Sequence, residues 1–167
     1  LAMLLIHANE VVSTDKLLDA VWGEEQPSGG ARSLNFHIRK LRGALPADVI
    51  ATRAPGYVLE ASPARVDALV FESLLAEARD VRLNDPAGAV KLLDEALGLW
   101  RGTAYADFTY EEFTHLEAER LEELRRGALE ERLAILLATG KHQELVPELE
   151  RLTAEHPTRE RLWGHLA

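Results

Sequence analysis

"RSLNFHIRKLRGAL", residues 32–45, holds three arginines and a lysine and no carboxylate, within a chain of 167 residues whose formal net charge is −9. Projected on a helix from Ala31 to Leu45, Leu34, Ile38, Leu41 and Leu45 fall on one narrow stripe, which must face a core. Arg32, Phe36, Arg39 and Gly43 cluster on the opposite side. Ser33, Asn35, Lys40 and Arg42 flank them, and His37 lies nearer the buried edge. A solvated helix normally mixes charge signs to gain pairs one turn apart, and this one has no acid to pair with. Phe36 points away from the core, where it would bury little. Against DNA both features have a use. Arg and Lys reach phosphates or guanine edges, Asn35 can bond adenine, and Phe36 can pack on a thymine methyl.

The neighbouring segments support that use. "LAMLLIHANE" reads as the tail of a buried helix, with Leu1, Leu4, Leu5 and Ala8 on one face. In "VVSTDKLLDAVWG", Ser13 or Thr14 can cap a helix whose apolar stripe is Leu17, Leu18, Val21 and Trp22, and Gly23 stops it. "EEQPSGG" is a loop by composition. After the basic helix, "VIATRAPGYVLEA" reads as a hairpin over residues 49–60, around a type II turn in which Gly56 takes positive φ. Helix, loop, basic helix and hairpin form the order of a winged helix-turn-helix. Arg53, beside the turn, is placed for a minor groove or a phosphate.

The acidic balance lies elsewhere. Residues 1–60 carry six Lys and Arg against seven Asp and Glu, whereas residues 61–167 carry 13 against 21. A phosphate backbone responds to the local field, so the basic helix outweighs the total. There is no Cys, which excludes disulfides, thiolate nucleophiles and cysteine zinc sites. No apolar run reaches the length of a membrane span. The chain begins at Leu1 and ends in "RLWGHLA", which reads as a fragment at both ends.

Beyond Pro63 the pattern is helical. Phe71, Leu74, Leu75 and Ala78 share a face. Asp85 and Pro86 open a helix presenting Ala89, Leu93, Ala96, Leu97 and Trp100, and "TYEE" (109–112) reads as a capping box for a long helix closed by Gly140. "KHQELVPELERLTAEHP" and "TRERLWGHLA" make two more. Ala89, Val90, Leu93 and Ala96 echo Leu145, Val146, Leu149 and Leu152, as in a tetratricopeptide-like (TPR-like) stack. Trp100 and Trp163 are read as packing anchors. Glu111, His115 and Glu119 stand one turn apart, but from a straight helix they do not all reach one ion, and a solvated face is the better reading. No nucleophile elbow, phosphate loop or paired-carboxylate cleft appears, so no enzyme and no cofactor or metal is expected.

The motifs also carry a family likeness. "RSLNFHIRKLRGAL" resembles the recognition-helix signature of the response-regulator (OmpR-type) winged helix, "TRAPGYVL" its wing, and "LLDAVWG" its second helix. "LGLWRG", "LEELR", "HQELVPELERL" and "EHPTRERLWGHL" resemble the bacterial transcriptional activator domain. The pairing is similar to the Streptomyces antibiotic regulatory protein (SARP) family over nearly the whole chain.

The resemblance implies a mainly α fold. A truncated winged helix-turn-helix over 1–62, lacking its N-terminal sheet, would precede a TPR-like activator domain over 66–167, truncated at its C-terminus. It implies a cytoplasmic, DNA-binding transcriptional activator with double-stranded promoter DNA as partner. DNA would be met by Arg32, Ser33, Asn35, Phe36, His37, Arg39, Lys40 and Arg42, by Thr52 and Arg53 of the wing, and by Trp22, with Arg39 and Arg42 at phosphates. The loop residues Glu24, Glu25, Gln26, Pro27 and Ser28 would touch RNA polymerase, and the helical domain would support self-association. Asn35 and Phe36 replace the signature's usual Asp and Val. The alternative is a TPR-like interaction module whose winged helix contacts protein instead of DNA.

Overall fold

The basic stretch does form a helix, and its placement depends on what precedes it. The chain opens on α1 (Ala2–Ile6) and a three-residue strand, β1 (Val11–Ser13), followed by α2 (Thr14–Trp22) and α3 (Gly30–Ala44). The computed structural model describes residues 1–140, 142–155 and 164. The chain divides into two compact units, one of Leu1–Val66 with Tyr105–Glu119 and the other of Asp67–Ala104 with the residues from Arg120 onward.

In the first unit α1 buries Ala2, Met3 and Leu4, while Leu1 is exposed. The expected face of Leu1, Leu4, Leu5 and Ala8 is not formed as read, because the helix ends at Ile6, before Ala8. Strand β1 is absent from the sequence reading, being too short to show a period. Ser13 caps α2 by accepting from the Lys16 N–H at 3.2 Å. Leu17 and Leu18 are buried, whereas Val21, in the final turn beyond the edge of the core, is exposed. Leu34 and Ile38 of α3 are buried against α2 and the sheet, with Leu41 and Leu45 packed at the margin. Burying each of the first two contributes about 2 kcal/mol relative to leaving it in water.

The wing consists of β2 (Ile50–Arg53) and β3 (Gly56–Leu59). With β1 they form one antiparallel sheet in the order β1-β3-β2, so β3 is central and buried along its length. Register pairs Val12 with Tyr57 and Thr52 with Tyr57. The turn differs from the expected type II geometry. The Ala54–Pro55 peptide is cis, which places the proline third in a turn of the cis-proline class, and Gly56 does not take positive φ. Phe113 also packs against this core, which is why residues beyond the wing count with the first unit.

The second unit holds α4 (Asp67–Val81), α5 (Pro86–Gly98), most of α6 (Glu112–Ala138) and α7 (His142–Glu155). Phe71, Leu74, Leu75 and Ala78 are all buried. Asp85 caps α5 by accepting from the Gly88 N–H at 2.9 Å, with Pro86 at the first helical position. The echo in the sequence marks a shared burial pattern: Ala89, Leu93 and Ala96 in α5 and Leu145, Leu149 and Leu152 in α7 are all core, although Val146 is exposed.

Two boundaries move. Trp100 lies past the end of α5 and meets Phe71 edge-on at 5.3 Å, with Arg125 over its face at 4.7 Å. Thr109 does not cap α6. Its hydroxyl donates to the Ala106 carbonyl at 2.7 Å, which completes a 3-10 turn over Ala106–Phe108, and α6 starts at Glu112. Trp163 and the helix read in "TRERLWGHLA" lie outside the described residues, Gly164 apart. Among the described residues no helix is long and apolar enough to cross a membrane.

Candidate nucleic-acid interface

Because Leu34 and Ile38 hold α3 down, Arg32, Phe36, Arg39 and Lys40 stand outward together, all exposed. Phe36 is 53% exposed yet held in place: Lys40 Nζ sits 4.7 Å from its ring centroid and His37 meets it edge-on at 5.8 Å. A cation over an aromatic face contributes on the order of 0.5–1 kcal/mol at an exposed site. That biases the direction of both side chains without removing them from solvent.

One flank of α3 is joined to the wing. Arg42 Nε donates to the Ile50 carbonyl at 2.8 Å and its terminal nitrogen to Thr52 Oγ1 at 2.9 Å, with the guanidinium 5.9 Å from the Tyr57 ring. Asn35 Oδ1 accepts from the Tyr57 hydroxyl at 2.5 Å. Arg42 and Thr52, both expected at DNA, are thus bonded to each other and tie α3 to β2. Arg53 pairs with Glu60 at 3.1 Å, both ends being well exposed, so this pair holds its direction weakly. Sequence reading missed the contribution of Tyr57, which entered only as part of the wing motif. The signal available was its place beside Gly56 in a short β-rich run.

The Arg42 arrangement separates two arginines that look alike in sequence. Arg42→Ala is expected to lower stability by about 1 kcal/mol, the size of partly exposed charge-assisted hydrogen bonds. Arg39→Ala, with the same loss of charge, should leave the thermal midpoint unchanged. Parallel melts followed by circular dichroism check the difference.

The other flank of α3 faces α2. Trp22 and His37 rings stand 5.9 Å apart, and His37 is exposed, not at the buried edge read from the wheel. Ser33 is half-buried on the same side. The loop that joins the helices leaves Glu24, Glu25, Gln26 and Ser28 exposed and Pro27 half-buried, with the Glu25 N–H bonded to the Trp22 carbonyl at 2.9 Å.

Charge pairing sets this surface apart from the second unit. There Arg79 and Arg82 both approach Glu131, and Arg101, Arg125, Arg126 and Arg132 pair with Asp67, Glu122, Glu123 and Asp94. Among the described residues no carboxylate lies within ion-pair distance of Arg32, Arg39 or Lys40. Of the trio Glu111, His115 and Glu119 considered for a metal, His115 Nε2 is hydrogen-bonded at 2.9 Å to the Thr109 carbonyl.

Comparison with known proteins agrees with this architecture. Residues 1–59 match the family described as transcriptional regulatory protein, C terminal, and residues 66–167 match the bacterial transcriptional activator domain. Regulatory protein DnrI of Streptomyces peucetius is 35% identical over 175 residues, covering 98% of this chain and 64% of the relative. Regulatory protein AfsR of Streptomyces griseus is 35% identical over 163 residues, covering 97% of this chain and 17% of its own. The solved structure of Mycobacterium tuberculosis EmbR, in complex with a low-affinity phosphopeptide, matches with a TM-score of 0.90 at 33% identity, over 99% of this chain and 45% of that one. The chain therefore spans less than two thirds of the length of these relatives. With both domains matched in order, the chain belongs to the Streptomyces antibiotic regulatory protein family, which joins an OmpR-type winged helix-turn-helix to a bacterial transcriptional activator domain.

Proposed function

We propose that this chain is a sequence-specific transcriptional activator that places α3 in a major groove of promoter DNA and the β2–β3 wing in the adjacent minor groove. An α-helix about 10–12 Å across fits a major groove about 12 Å wide. The observation that carries the reading is the outward row of Arg32, Arg39 and Lys40, without acidic partners among the described residues, on a chain whose other arginines are largely paired. Phosphates supply the missing counter-charge. Phe36, set between Lys40 and His37, is presented to the methyl edge of thymine.

The roles divide by position. Arg32 and Lys40 meet the backbone or guanine edges, and Arg39 meets a phosphate. Ser33, His37 and Trp22 line the side toward α2, and Arg53 lies at the tip of the wing. Arg42 and Thr52 act by holding helix and wing together. The exposed loop Glu24–Ser28 offers carboxylates to RNA polymerase, and the helical unit supports self-association. The family likeness and the exposed loop support both partners and a cytoplasmic site of action.

Arg39→Ala provides the test. In mobility-shift titrations of a promoter fragment across a salt series, the variant should bind more weakly, with the salt slope reduced by about one. An unchanged slope would remove Arg39 from the phosphate contacts.

A further inference from the structure

We propose that Tyr57 of the wing determines which base Asn35 reads, by turning the Asn35 carbonyl to the wing so that its amide N–H groups are the ones presented to DNA. This rests on the DNA-binding reading above. The Tyr57 hydroxyl donates to Asn35 Oδ1 at 2.5 Å. Tyr57 is 8% exposed and lies in the central strand, paired on one side with Val12 and on the other with Thr52. Arg42 lies beside its ring and is bonded to the neighbouring strand. Tyr57 is therefore fixed by the fold, and Asn35, exposed on α3, takes its orientation from it.

That orientation has a chemical consequence. A free asparagine recognises adenine with both ends of its amide, the oxygen accepting from N6 and the nitrogen donating to N7. With its oxygen turned to Tyr57, which engages one of its two lone pairs, Asn35 offers its two N–H donors on the other side of the amide. Guanine presents two acceptors in the major groove, N7 and O6, whereas adenine sets its N6 donor against a donor. Asn35 therefore favours guanine over adenine. The expectation from residue type alone is reversed by a side chain from another element. Tyr57 is a positioning residue and Asn35 the contact.

Selection from a duplex library with a randomised major-groove site, using the intact chain, tests this directly. The wild type should enrich guanine at one position, and Asn35→Ala should leave that position without preference. Tyr57→Phe removes one oxygen and keeps the ring. It should move the guanine-to-adenine ratio at that position toward adenine by about tenfold, the size of a good base contact, with the other positions unchanged. Equal base ratios for wild type and Tyr57→Phe, including uniformly weaker binding, would overturn the proposal and leave Tyr57 a merely structural residue. If Tyr57→Phe does not fold, Asn35→Asp decides. It keeps an acceptor for Tyr57 and loses both donors, so it should replace guanine by cytosine, whose N4 donates. Retained guanine in that variant would overturn the proposal. A wild type that enriches no sequence would refute the DNA-binding reading itself, and this inference with it.

Discussion

Gly56→Ala is expected to cost about 3 kcal/mol of folding stability, at the upper end for overpacking by a single methyl, and to lower the thermal midpoint by roughly 10 °C. A Cβ at this position would lie 1.9 Å from the Val12 carbonyl oxygen and 2.8 Å from Ser13 Cα. Both are backbone atoms of the adjacent strand, so no side-chain rotation relieves the overlap. The strands must separate where Ser13 pairs with Gly56 and Val12 with Tyr57. Val12 is 2% exposed and β3 is buried along its length, so separation opens the core. Gly43→Ala is the control, because a Cβ there meets nothing within 4 Å. Within α3 it should be neutral or stabilising by up to about 1 kcal/mol. A Gly56→Ala melt matching the wild type would mean that β1 is not paired with β3 in solution.

The second large effect is on binding. Reversing two charges on the outward row, Arg32→Glu with Lys40→Glu, should reduce affinity for a promoter duplex by a hundredfold or more at moderate salt, since two attractive phosphate contacts become repulsive. Folding should change by no more than about 0.5 kcal/mol, because neither side chain is part of the core. The contact Lys40 loses is with the ring of Phe36. Self-association, measured by sedimentation, should be preserved. Duplex binding by the double variant at wild-type strength would instead support the reading of the winged helix as a protein-contact module.

Much of this surface was legible in the sequence because α3 is amphipathic and uninterrupted. Leu34 and Ile38 specify which face is buried, and the wheel then places Arg32, Phe36 and Arg39 outward. The caps at Ser13 and Asp85 were legible for the same reason: they depend on residues three positions away. What escaped depends on partners distant in sequence. Three residues of β1 have no detectable period, and only pairing with Val58 and Tyr57 makes them a strand. The wheel shows that Asn35 and Arg42 lie on one flank, but not that a wing occupies that flank. Thr109 and Glu112 fit a capping box in composition, yet α6 begins at Glu112, which is therefore its first residue and not the third that a capping box requires. Phe113 sits in a stretch that reads as part of the helical half, and its burial against the first core has no local signature.

The position of β1 also bears on how α3 comes to order. Strand β1 precedes α2 and α3, and its partner β3 follows them, so the two helices lie within a loop closed by the Val11–Val58 pairing. Closing that loop has an entropic cost that contacts within one helix do not offset. The helix pair and the sheet are therefore expected to open as one cooperative unit, α3 together with the strands that close the loop. Amide hydrogens of Leu34, Ile38 and Val58 would then exchange at a common slow rate, and a ligand held by α3 would stabilise the sheet as much as the helix.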